Sequence, residues 1–471
     1  MACVISAPSS GSGKTLLSIL LASWAIDNEI TLQSFKAGPD YLDSELLSNI
    51  SGRNCRNLDL TLSGLDWVKN TFHGFGSLCD LTVIEGVMGL FDGIGTSSKG
   101  STAELAKELQ LPVILVIDAS GQAASIAALV EGFKNKDHSI NIAGVVINKI
   151  NSSRHKELLE EVLVSIGIKM LGSIPNNQQL KIKTSPLGLA PSHEIRNLKD
   201  RISIWSSFAE KNLDMKILRG LMKSPSYKQN PLEILGNQIE SKPNSATYKV
   251  AIAEDNAFHF RYPETKEFLE IIGIKTLPWS PLANEEIPED INGIILPGGF
   301  PENYAEQLSV SKRSLDSLKT HHGETPIYAE CGGMLILGQS LDDINNKNYK
   351  MAGILPFHAT KGSLKVGYRK IRGTKSSLIV REGDKLIGHE FHRWKLERPI
   401  ENTVEIEKNP NYNNKQNSSF SSPWRVGGWR IKEENEGWSN EMIHASWIHL
   451  HWPSNLELIK RWKRSISGTS K

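Results

Sequence analysis

The sequence predicts an α/β protein with two successive domains, each built around a mostly parallel sheet. Short apolar runs alternate with amphipathic helical stretches from residue 1 to about 190, and the alternation resumes at Lys249. Continuous apolar strands separated by helices are typical of parallel sheets that are covered on both faces. The intervening stretch is rich in Lys, Ser, Asn and Pro, so we expect domains over 1–190 and 248–471, joined by a connector over 191–247.

Polar residues follow the ends of the predicted strands, which is where ligands of parallel sheets bind. The strands expected in the first half are Cys3–Ala7, Leu32–Lys36, Leu81–Glu85, Val113–Asp118, Ile142–Asn148 and Met170–Ile174. In the second half we expect a strand over His444–Trp452, an amphipathic helix from Asn455 to about Ser465, and a polar surface insertion over 402–422.

The overall composition is that of an ordinary soluble globular protein. Its 54 basic and 52 acidic residues give a net charge of +2, which argues against nucleic acid or a membrane surface as a partner. No apolar run approaches the length of a membrane span, and because a strand is predicted directly at the N-terminus, we expect no signal peptide. Four scattered cysteines without metal-ligand spacing predict a reducing cytoplasm.

A phosphate-binding loop is predicted between the first strand and the first helix, and the residues expected to bind ATP are Gly11, Ser12, Gly13, Lys14 and Thr15. The glycines let backbone N–H groups turn inward, and the helix directs its positive end at the same point. Lys14 would reach the β- and γ-phosphates, and the Thr15 hydroxyl would ligate Mg²⁺. Pro8 replaces the first glycine of the full pattern, and the alternative is an ordinary Gly/Ser turn.

Carboxylates follow the second and third predicted strands. Asp40 and Asp43 lie on a Gly-Pro turn, and Glu85 and Asp92 lie among glycines. Carboxylate oxygens suit Mg²⁺, so together with the loop they predict a magnesium nucleotide site at one edge of the sheet. Asp118 and Asn148 also end strands; they either contact base, ribose or substrate or cap the following helices, and we favour the structural role.

A second chemical site is predicted around Cys331, which lies between the apolar run 326–329 and a helix. A strand, a sharp turn and a helix form a nucleophile elbow, and the helix N-terminus would favour the thiolate. Upstream, backbone N–H groups of Gly298 and Gly299 could form an oxyanion hole. Inert packing is the usual role of a buried cysteine, but the Gly-Gly turn and a terminal histidine favour catalysis here.

Two histidines near the C-terminus are candidates for the base. His449 and His451 are expected on one strand, where period-2 alternation points both side chains to the same face. The residues alone do not choose between them.

The order of these motifs resembles a known family. Pro-Gly-Gly, a cysteine elbow and a late histidine are similar to a class I glutamine amidotransferase domain. With SGSGKT, GPDYLD, EGVMGLFDG, PGGFPE, AECGGM, GHEFH and HLH in this order, nearly the whole chain resembles the cobyrinic acid a,c-diamide synthase family. The resemblance implies a phosphate-loop NTPase-like domain, similar to dethiobiotin synthetase, followed by a class I glutamine amidotransferase α/β domain.

The resemblance also implies a reaction. ATP, Mg²⁺ and glutamine would serve the stepwise amidation of two peripheral carboxylates of cobyrinic acid in cobalamin biosynthesis, through a phosphorylated carboxylate. The residues implied at the metal and phosphates are Thr15, Asp40 and Glu85, and those facing the substrate or acyl phosphate are Tyr41, Leu42, Asp43 and Asp92. Cys331 is implied as the glutaminase nucleophile and His449 as its helper. Because no Glu follows His449 by two residues, a Cys–His dyad is expected rather than a triad.

Several alternatives and departures accompany this resemblance. The same chemistry on hydrogenobyrinic acid or a nickel sirohydrochlorin, or a cobyric acid synthase-type amidation, is one alternative. A non-enzymatic nucleotide switch is another, but it leaves the Cys331 elbow unexplained. The family's Arg-His-Leu-Gly-Leu is Ser-Pro-Leu-Gly-Leu at 185–189, and the insertion at 402–422 is unusual. The expected partners are small molecules, with a homodimer as a candidate assembly.

Overall fold

The structure is a computed structural model that describes residues 2–182, 184–185, 188–189, 195, 197–227, 229, 232, 248–397 and 420–468. The chain divides into two compact units, Met1–Ile234 and Leu235–Lys471. The insertion predicted over 402–422 lies outside the described residues except for 420–422.

The first unit is organised around a parallel sheet. Its strands are β1 Cys3–Ser6, β2 Leu32–Ala37, β3 Arg56–Leu58, β4 Leu81–Glu85, β5 Val113–Asp118, β6 Ile142–Ile150 and β7 Met170–Pro175. They form a seven-stranded sheet in the order β3-β2-β4-β1-β5-β6-β7, with all neighbours parallel. All six strands expected from the sequence are confirmed. The short β3 was not predicted, because three residues carry too little periodicity.

Helices connect these strands, and the order of the strands brings the ends of β1, β2 and β4 together. The helices are α1 Lys14–Asp27, α2 Leu42–Ser51, α3 Leu65–Gly76, α4 Thr102–Glu108, α5 Ser125–Lys136 and α6 Ser153–Ser165. A two-stranded pair, β8 Thr184–Ser185 and β9 Gly188–Leu189, lies apart from the sheet. Because β1 pairs with both β4 and β5, the loop after β1 opens at the middle of the sheet edge.

Two further helices complete the first unit, α7 Leu198–Asn212 and α8 Met215–Leu221. Trp205 of α7 is fully buried in the same apolar core as Leu17 and Leu20 of α1. Thr82 N–H of β4 donates to the Met222 carbonyl. These helices fall within the range 191–247 that the sequence predicts as a connector, and their packing assigns them to the first unit.

The second unit contains two sheets, of which the first is mostly parallel. Its strands are β10 Tyr248–Ala253, β11 Ile274–Trp279, β12 Gly293–Leu296, β13 Ile327–Glu330, β20 Trp438–Ser439 and β21 Ile443–Ser446. The order is β11-β10-β12-β13-β21-β20, and only β20 runs antiparallel. The expected parallel sheet is therefore confirmed.

The other sheet of this unit is mostly antiparallel and was not predicted. Its strands are β14 Ser340–Asp342, β15 Asn348–Lys350, β16 His358–Gly373, β17 Lys385–Glu397, β18 Trp424–Gly428, β19 Ile431–Glu436 and β22 Ile448–His449. The helices of the unit are α9 Pro263–Ile271, α10 Ala305–Val310, α11 Lys312–His321, α12 Gly332–Leu335 and α13 Leu456–Ile466. The long strands β16 and β17 pair along most of their length, and β22 pairs with β17.

The prediction of one strand over His444–Trp452 is wrong. The chain leaves β21 after Ser446, passes through Trp447 and enters β22, which belongs to the other sheet. The strand then ends at His449. A continuous apolar pattern cannot reveal this change of sheet, because both strands are buried and both are short. The helix expected from Asn455 is confirmed as α13.

Removing the Trp205 side chain tests the assignment of α7 to the first unit. Trp205→Ala should lower the free energy of local opening of α1 and α7 by about 3 kcal/mol, because a large cavity forms between them. Ile204→Ala is the control, since Ile204 is 42% exposed on the same helix and its loss should cost less than about 0.5 kcal/mol. Hydrogen exchange of the full chain measures both, and equal protection in the two variants would contradict this packing.

Candidate functional site

The predicted phosphate loop forms a turn directly before α1. Gly11 and Gly13 have φ angles of +81° and +114°, which side chains disfavour. The Asn148 amide donates to the Ser12 carbonyl at 2.9 Å, and a Cβ at Gly13 would lie 2.3 Å from that amide nitrogen. Asn148 therefore holds the loop from the end of β6. This hydrogen bond to Ser12 agrees with the structural role that we favoured for Asn148.

A cavity of about 350 Å³ adjoins this turn. It is lined by Gly11, Gly13, Lys14, Thr15, Leu16, Asn148, Lys149, Pro175, Asn176, Asn177, Leu180, Lys181 and Ile182. Asp118 is not among these lining residues; its carboxylate accepts hydrogen bonds from Ser120 and pairs with Lys149 at 2.5 Å. The segment after β7 thus contributes to the cavity wall, which the sequence analysis did not foresee.

The Lys14 side chain folds over its own loop. Its Nζ donates to the carbonyl oxygens of Met88 at 2.5 Å and Ser9 at 3.3 Å. Burial, together with the nearby charge of Lys36, lowers the pKa of Lys14 to about 8. An arriving phosphate would offer this ammonium a stronger partner than two carbonyl groups.

Lys36, at the end of β2, is the centre of a buried charge cluster that sequence reasoning missed. Its Nζ lies 2.5 Å from Asp43, 2.7 Å from Glu85 and 3.7 Å from Asp40. The Thr15 hydroxyl donates to Glu85 at 2.6 Å. The structure thereby brings together the predicted residues of four different elements. Lys36 is the last residue of the predicted strand Leu32–Lys36, and this position was the available signal.

Burial and charge act in opposite directions within this cluster. Burial raises the pKa of Glu85 to about 7, although Lys36 opposes that change. Burial and the Asp43 charge raise the pKa of Asp40 to about 6. Burial would also raise the pKa of Asp43, but the Lys36 charge outweighs it and holds that pKa below its usual value. The carboxylates of Asp43 and Glu85 are therefore held by one cation, the Lys36 ammonium.

The donor set fits a hard cation only in part. The Glu85 Oε2 atom is buried without a hydrogen-bond partner, and the Thr15 hydroxyl lies against Oε1 of the same carboxylate. In the described part of the chain, no group of three or more His, Cys, Asp or Glu side chains could hold a metal by itself. A few oxygen ligands such as the Glu85 carboxylate and the Thr15 hydroxyl suit Mg²⁺, which commonly takes its remaining ligands from phosphates and water.

The residues implied to face the substrate differ in exposure. Tyr41 and Leu42 are 8% and 5% exposed where α2 begins. Asp92 is exposed, and its carboxylate accepts a hydrogen bond from Gly89 N–H at 2.8 Å. Their contact with a substrate stays a prediction.

Cys331 forms a strained elbow between β13 and α12. Its φ is +46°, a left-handed value that is unusual for a residue with a side chain. Its N–H donates to the Ser446 carbonyl at 2.7 Å, and its thiol donates to the Phe391 carbonyl at 3.4 Å. The predicted strand–turn–helix arrangement is present.

Glycines allow the elbow to pack against the turn after β12. A Cβ at Gly332 would lie 2.5 Å from the Gly299 carbonyl oxygen, and one at Gly333 would lie 2.1 Å from that of Leu296. Gly298 in turn touches His449, since a Cβ there would lie 2.5 Å from the ring carbon Cε1. The Gly-Gly turn, the cysteine elbow and His449 are thus neighbours in the structure.

The thiol is buried and resists ionisation in this structure. Cys331 is 2% exposed, and burial raises its pKa well above the usual value, with the charges of Glu302, Glu330 and Glu390 adding to this effect. The Gly332 N–H lowers the pKa, as expected of a helix N-terminus, but burial outweighs it. Activation of the thiol therefore requires a proton acceptor.

The two candidate histidines have different surroundings. His449 is 1% exposed, lies opposite His389 of β17 in the strand register, and has its Nδ1 3.8 Å from the Glu330 carboxylate. His451 lies beyond the strand, where its Nδ1 contacts the Ser454 hydroxyl at 2.9 Å and its ring packs edge-on against Tyr262. The expectation that both share one face of a strand is wrong.

The GHEFH segment supports the thiol from β17. Glu390 is held by Arg369 at 2.5 Å and by His392 at 2.8 Å, and the His392 ring stacks on Trp447 at 3.7 Å. These partners hold the pKa of Glu390 at about 2 despite its burial. The backbone carbonyl of Phe391, between Glu390 and His392, is therefore held where it accepts the hydrogen bond of the Cys331 thiol.

A membrane-spanning helix needs a length and an apolar character that can be compared with those of the described helices. Across the residues that the structure describes, no helix is both long and apolar enough to cross a bilayer.

Two domain families match the two halves of the chain. The family described as the CobQ/CobB/MinD/ParA nucleotide binding domain matches residues 3–185. The family described as the CobB/CobQ-like glutamine amidotransferase domain matches residues 249–456. These matches confirm the predicted fold class and imply the use of ATP by the first half.

Relatives match along the whole chain. A cobyrinate a,c-diamide synthase of Synechocystis sp. is 34% identical over 100% of this chain and 94% of the relative. One of Gloeobacter violaceus is 35% identical over 98% and 96%, respectively. A hydrogenobyrinate a,c-diamide synthase of Streptomyces coelicolor is 33% identical over 98% and 96%. This similarity, extending through both domains, establishes that the chain belongs to the cobyrinate a,c-diamide synthase family.

Proposed function

We propose that the protein converts the a and c side-chain carboxylates of cobyrinic acid to amides in cobalamin biosynthesis, using ATP and glutamine. One observation carries the proposal: a single chain holds a phosphate loop beside a lysine–carboxylate cluster and a cysteine elbow beside a buried histidine. The relatives named as cobyrinate a,c-diamide synthases support the choice of substrate.

In the first unit, a substrate carboxylate is activated by phosphorylation. The backbone of Gly11, Ser12 and Gly13 and the Lys14 ammonium bind the ATP phosphates. The γ-phosphoryl group passes to a carboxylate oxygen, breaking the bond to the β-phosphate and releasing ADP. Lys36 offsets part of the negative charge of its carboxylate neighbours, which lessens repulsion of both anionic substrates.

We also propose a magnesium ion at this site. Thr15, Glu85 and Asp40 would hold it, and the unpartnered Glu85 Oε2 supports this choice. When bound, Mg²⁺ neutralises charge on the transferring phosphates. Tyr41, Leu42, Asp43 and Asp92 are proposed to face the corrin substrate or the acyl phosphate.

In the second unit, glutamine supplies ammonia. The Cys331 thiol gives its proton to His449, and the sulfur attacks the glutamine amide carbon. The backbone N–H groups of Gly298 and Gly299 stabilise the oxyanion. Burial lowers the pKa of His449 to about 3, so the ring is neutral at pH 7 and able to accept a proton. Ammonia leaves, and water hydrolyses the thioester.

Joining both activities in one chain has a chemical reason. Free ammonia dilutes into solvent and is mostly protonated at neutral pH. A tethered glutaminase raises the effective concentration of unprotonated ammonia for attack on the acyl phosphate. The four free cysteines support a reducing cytoplasm as the location, and a homodimer remains a candidate assembly.

A second candidate substrate is hydrogenobyrinic acid, the ring without cobalt. It is favoured by the Streptomyces coelicolor relative, which is named for that substrate at a similar identity. Purified protein given ATP, Mg²⁺, glutamine and each ring separately tests both, by mass spectrometry of the products. Two amide additions to cobyrinic acid support the proposal, and conversion of neither ring contradicts it.

Cys331→Ala should abolish glutamine-dependent synthesis and leave synthesis from added ammonia largely intact. The reason is that the thiol is used only in the second unit, whereas carboxylate activation occurs in the first. Amide formation with each nitrogen source is the measurement. Loss of both activities in a folded variant would contradict the two-site assignment.

Lys14→Ala should remove synthesis with either nitrogen source. A cation that follows the γ-phosphoryl group into the transition state contributes about 3 kcal/mol, or roughly 100-fold in rate. Lys134→Ala, which removes an exposed cation on α5, is the matched control. Near-normal ammonia-dependent turnover of the Lys14 variant would contradict the phosphate-binding role and indicate an ordinary Gly/Ser turn.

His449→Asn should lower glutaminase turnover by about 10²-fold or more and move alkylation of Cys331 to higher pH. His451→Asn should do neither to a comparable degree, because its ring contacts Ser454 and Tyr262. The iodoacetamide rate against pH measures the thiolate in both variants, and ammonia-dependent synthesis checks the first unit. A larger shift in the His451 variant would identify that residue as the base.

A further inference from the structure

A buried glutamate directly precedes the nucleophile. Glu330 is the last residue of β13, and the sharp turn at Cys331 sends the chain away from it. Its side chain is 13% exposed, and its Oε1 accepts a hydrogen bond from the Leu450 N–H at 3.4 Å. Its Oε2 lies 3.8 Å from Nδ1 of His449. One carboxylate thus contacts both the backbone and the ring of the histidine segment.

The His449 ring presents different edges to different neighbours. Nδ1 faces Glu330, whereas the edge with Cε1 and Nε2 faces Gly298, whose added Cβ would lie 2.5 and 3.4 Å from those atoms. That glycine turn also packs on the elbow through Gly332. The ring is therefore placed with one nitrogen toward the carboxylate and the other toward the nucleophile's surroundings.

We propose that Glu330 is a positioning residue that completes the glutaminase site by orienting His449 through Nδ1 and balancing the charge the ring acquires. The inference rests on the proposed role of His449 as base. The expected dyad of Cys331 and His449 then becomes a triad. Its carboxylate is that of Glu330, the residue before the nucleophile, and does not come from the segment after the histidine.

The proposed step is a proton transfer. The Cys331 S–H bond breaks, its electron pair stays on sulfur, and the proton binds Nε2 of His449. An imidazolium alone is poorly tolerated in so buried a place, and an ionised carboxylate beside Nδ1 stabilises it. Burial raises the pKa of Glu330 to about 8 and lowers that of His449 to about 3, so each group resists charge alone. Charged together, they neutralise each other.

Other titratable groups surround this pair. His389 and His392 face His449 from β17, and Tyr328 faces Glu330 from its own strand. Glu302, in the turn Pro301–Tyr304, is a second buried glutamate near Cys331, and burial raises its pKa to about 8 as well. Glu302 is therefore the matched control, since it shares the burial and the effect on the thiol.

The variant Glu330→Gln shows whether Glu330 acts on the thiol directly or through His449, because the two roles move the pH dependence of Cys331 alkylation in opposite directions. A negative charge near the thiol raises the thiol pKa, so removing a bare charge moves alkylation of Cys331 to lower pH. If Glu330 acts through His449, its removal destabilises the thiolate–imidazolium pair, and alkylation moves to higher pH by about one unit. Glutaminase kcat should fall about 100-fold with little change in KM. Glu302→Gln should leave the curve unchanged or move it to lower pH.

A double variant makes the test independent of folding losses. In the His449→Asn background, Glu330→Gln should no longer move alkylation to higher pH, because the ring it acts through is gone; only the direct effect of the lost charge, a shift to lower pH, should be left. A shift to lower pH in the single variant, or an added shift to higher pH of the same size in the double variant, would overturn the proposal. If His449→Asn alone has no effect, the assigned base is wrong instead. Ammonia-dependent synthesis should stay near normal in all of these variants.

Discussion

The first unit depends on one buried cation among carboxylates. Lys36 is 2% exposed and holds the side chains of Asp43 and Glu85 within 2.7 Å, which joins the ends of β2 and β4 to the start of α2. Removing one member of such a cluster leaves an uncompensated buried charge, which commonly costs 3–5 kcal/mol. The cluster therefore fixes where Thr15 and Glu85 meet, and with them the place where a nucleotide phosphate would be held.

The second unit depends on close approach of backbones. Three glycines let the elbow, the turn after β12 and the His449 ring lie within contact distance, and any side chain at these positions would overlap a neighbour. Strain at Cys331 belongs to the same arrangement, because its left-handed φ turns the chain sharply enough to present the thiol. The rest of the network, from Arg369 through Glu390 to His392, holds the Phe391 carbonyl against the sulfur.

The sequence predicted the parallel sheets, and the loop and elbow that the structure shows, because each motif is local. A strand, a glycine turn and a helix occupy about 20 consecutive residues, so the loop at Lys14 and the elbow at Cys331 could both be found from spacing. Contacts between distant segments could not. Lys36 resembles any strand residue until β4 brings Glu85 beside it, and Glu330 gains meaning only because β22 returns to it. The antiparallel sheet escaped prediction for the same reason.

Trp447 has a consequence for assembly of the second unit. It is the single residue between β21, in the parallel sheet, and β22, in the antiparallel sheet. His449 can therefore reach Glu330 only after both sheets have formed and the last strands have docked. A nascent or partly folded chain would carry the cysteine but lack the base that we propose for it. With the proposed roles of Cys331 and His449, hydrolysis of glutamine would begin only once this unit is complete.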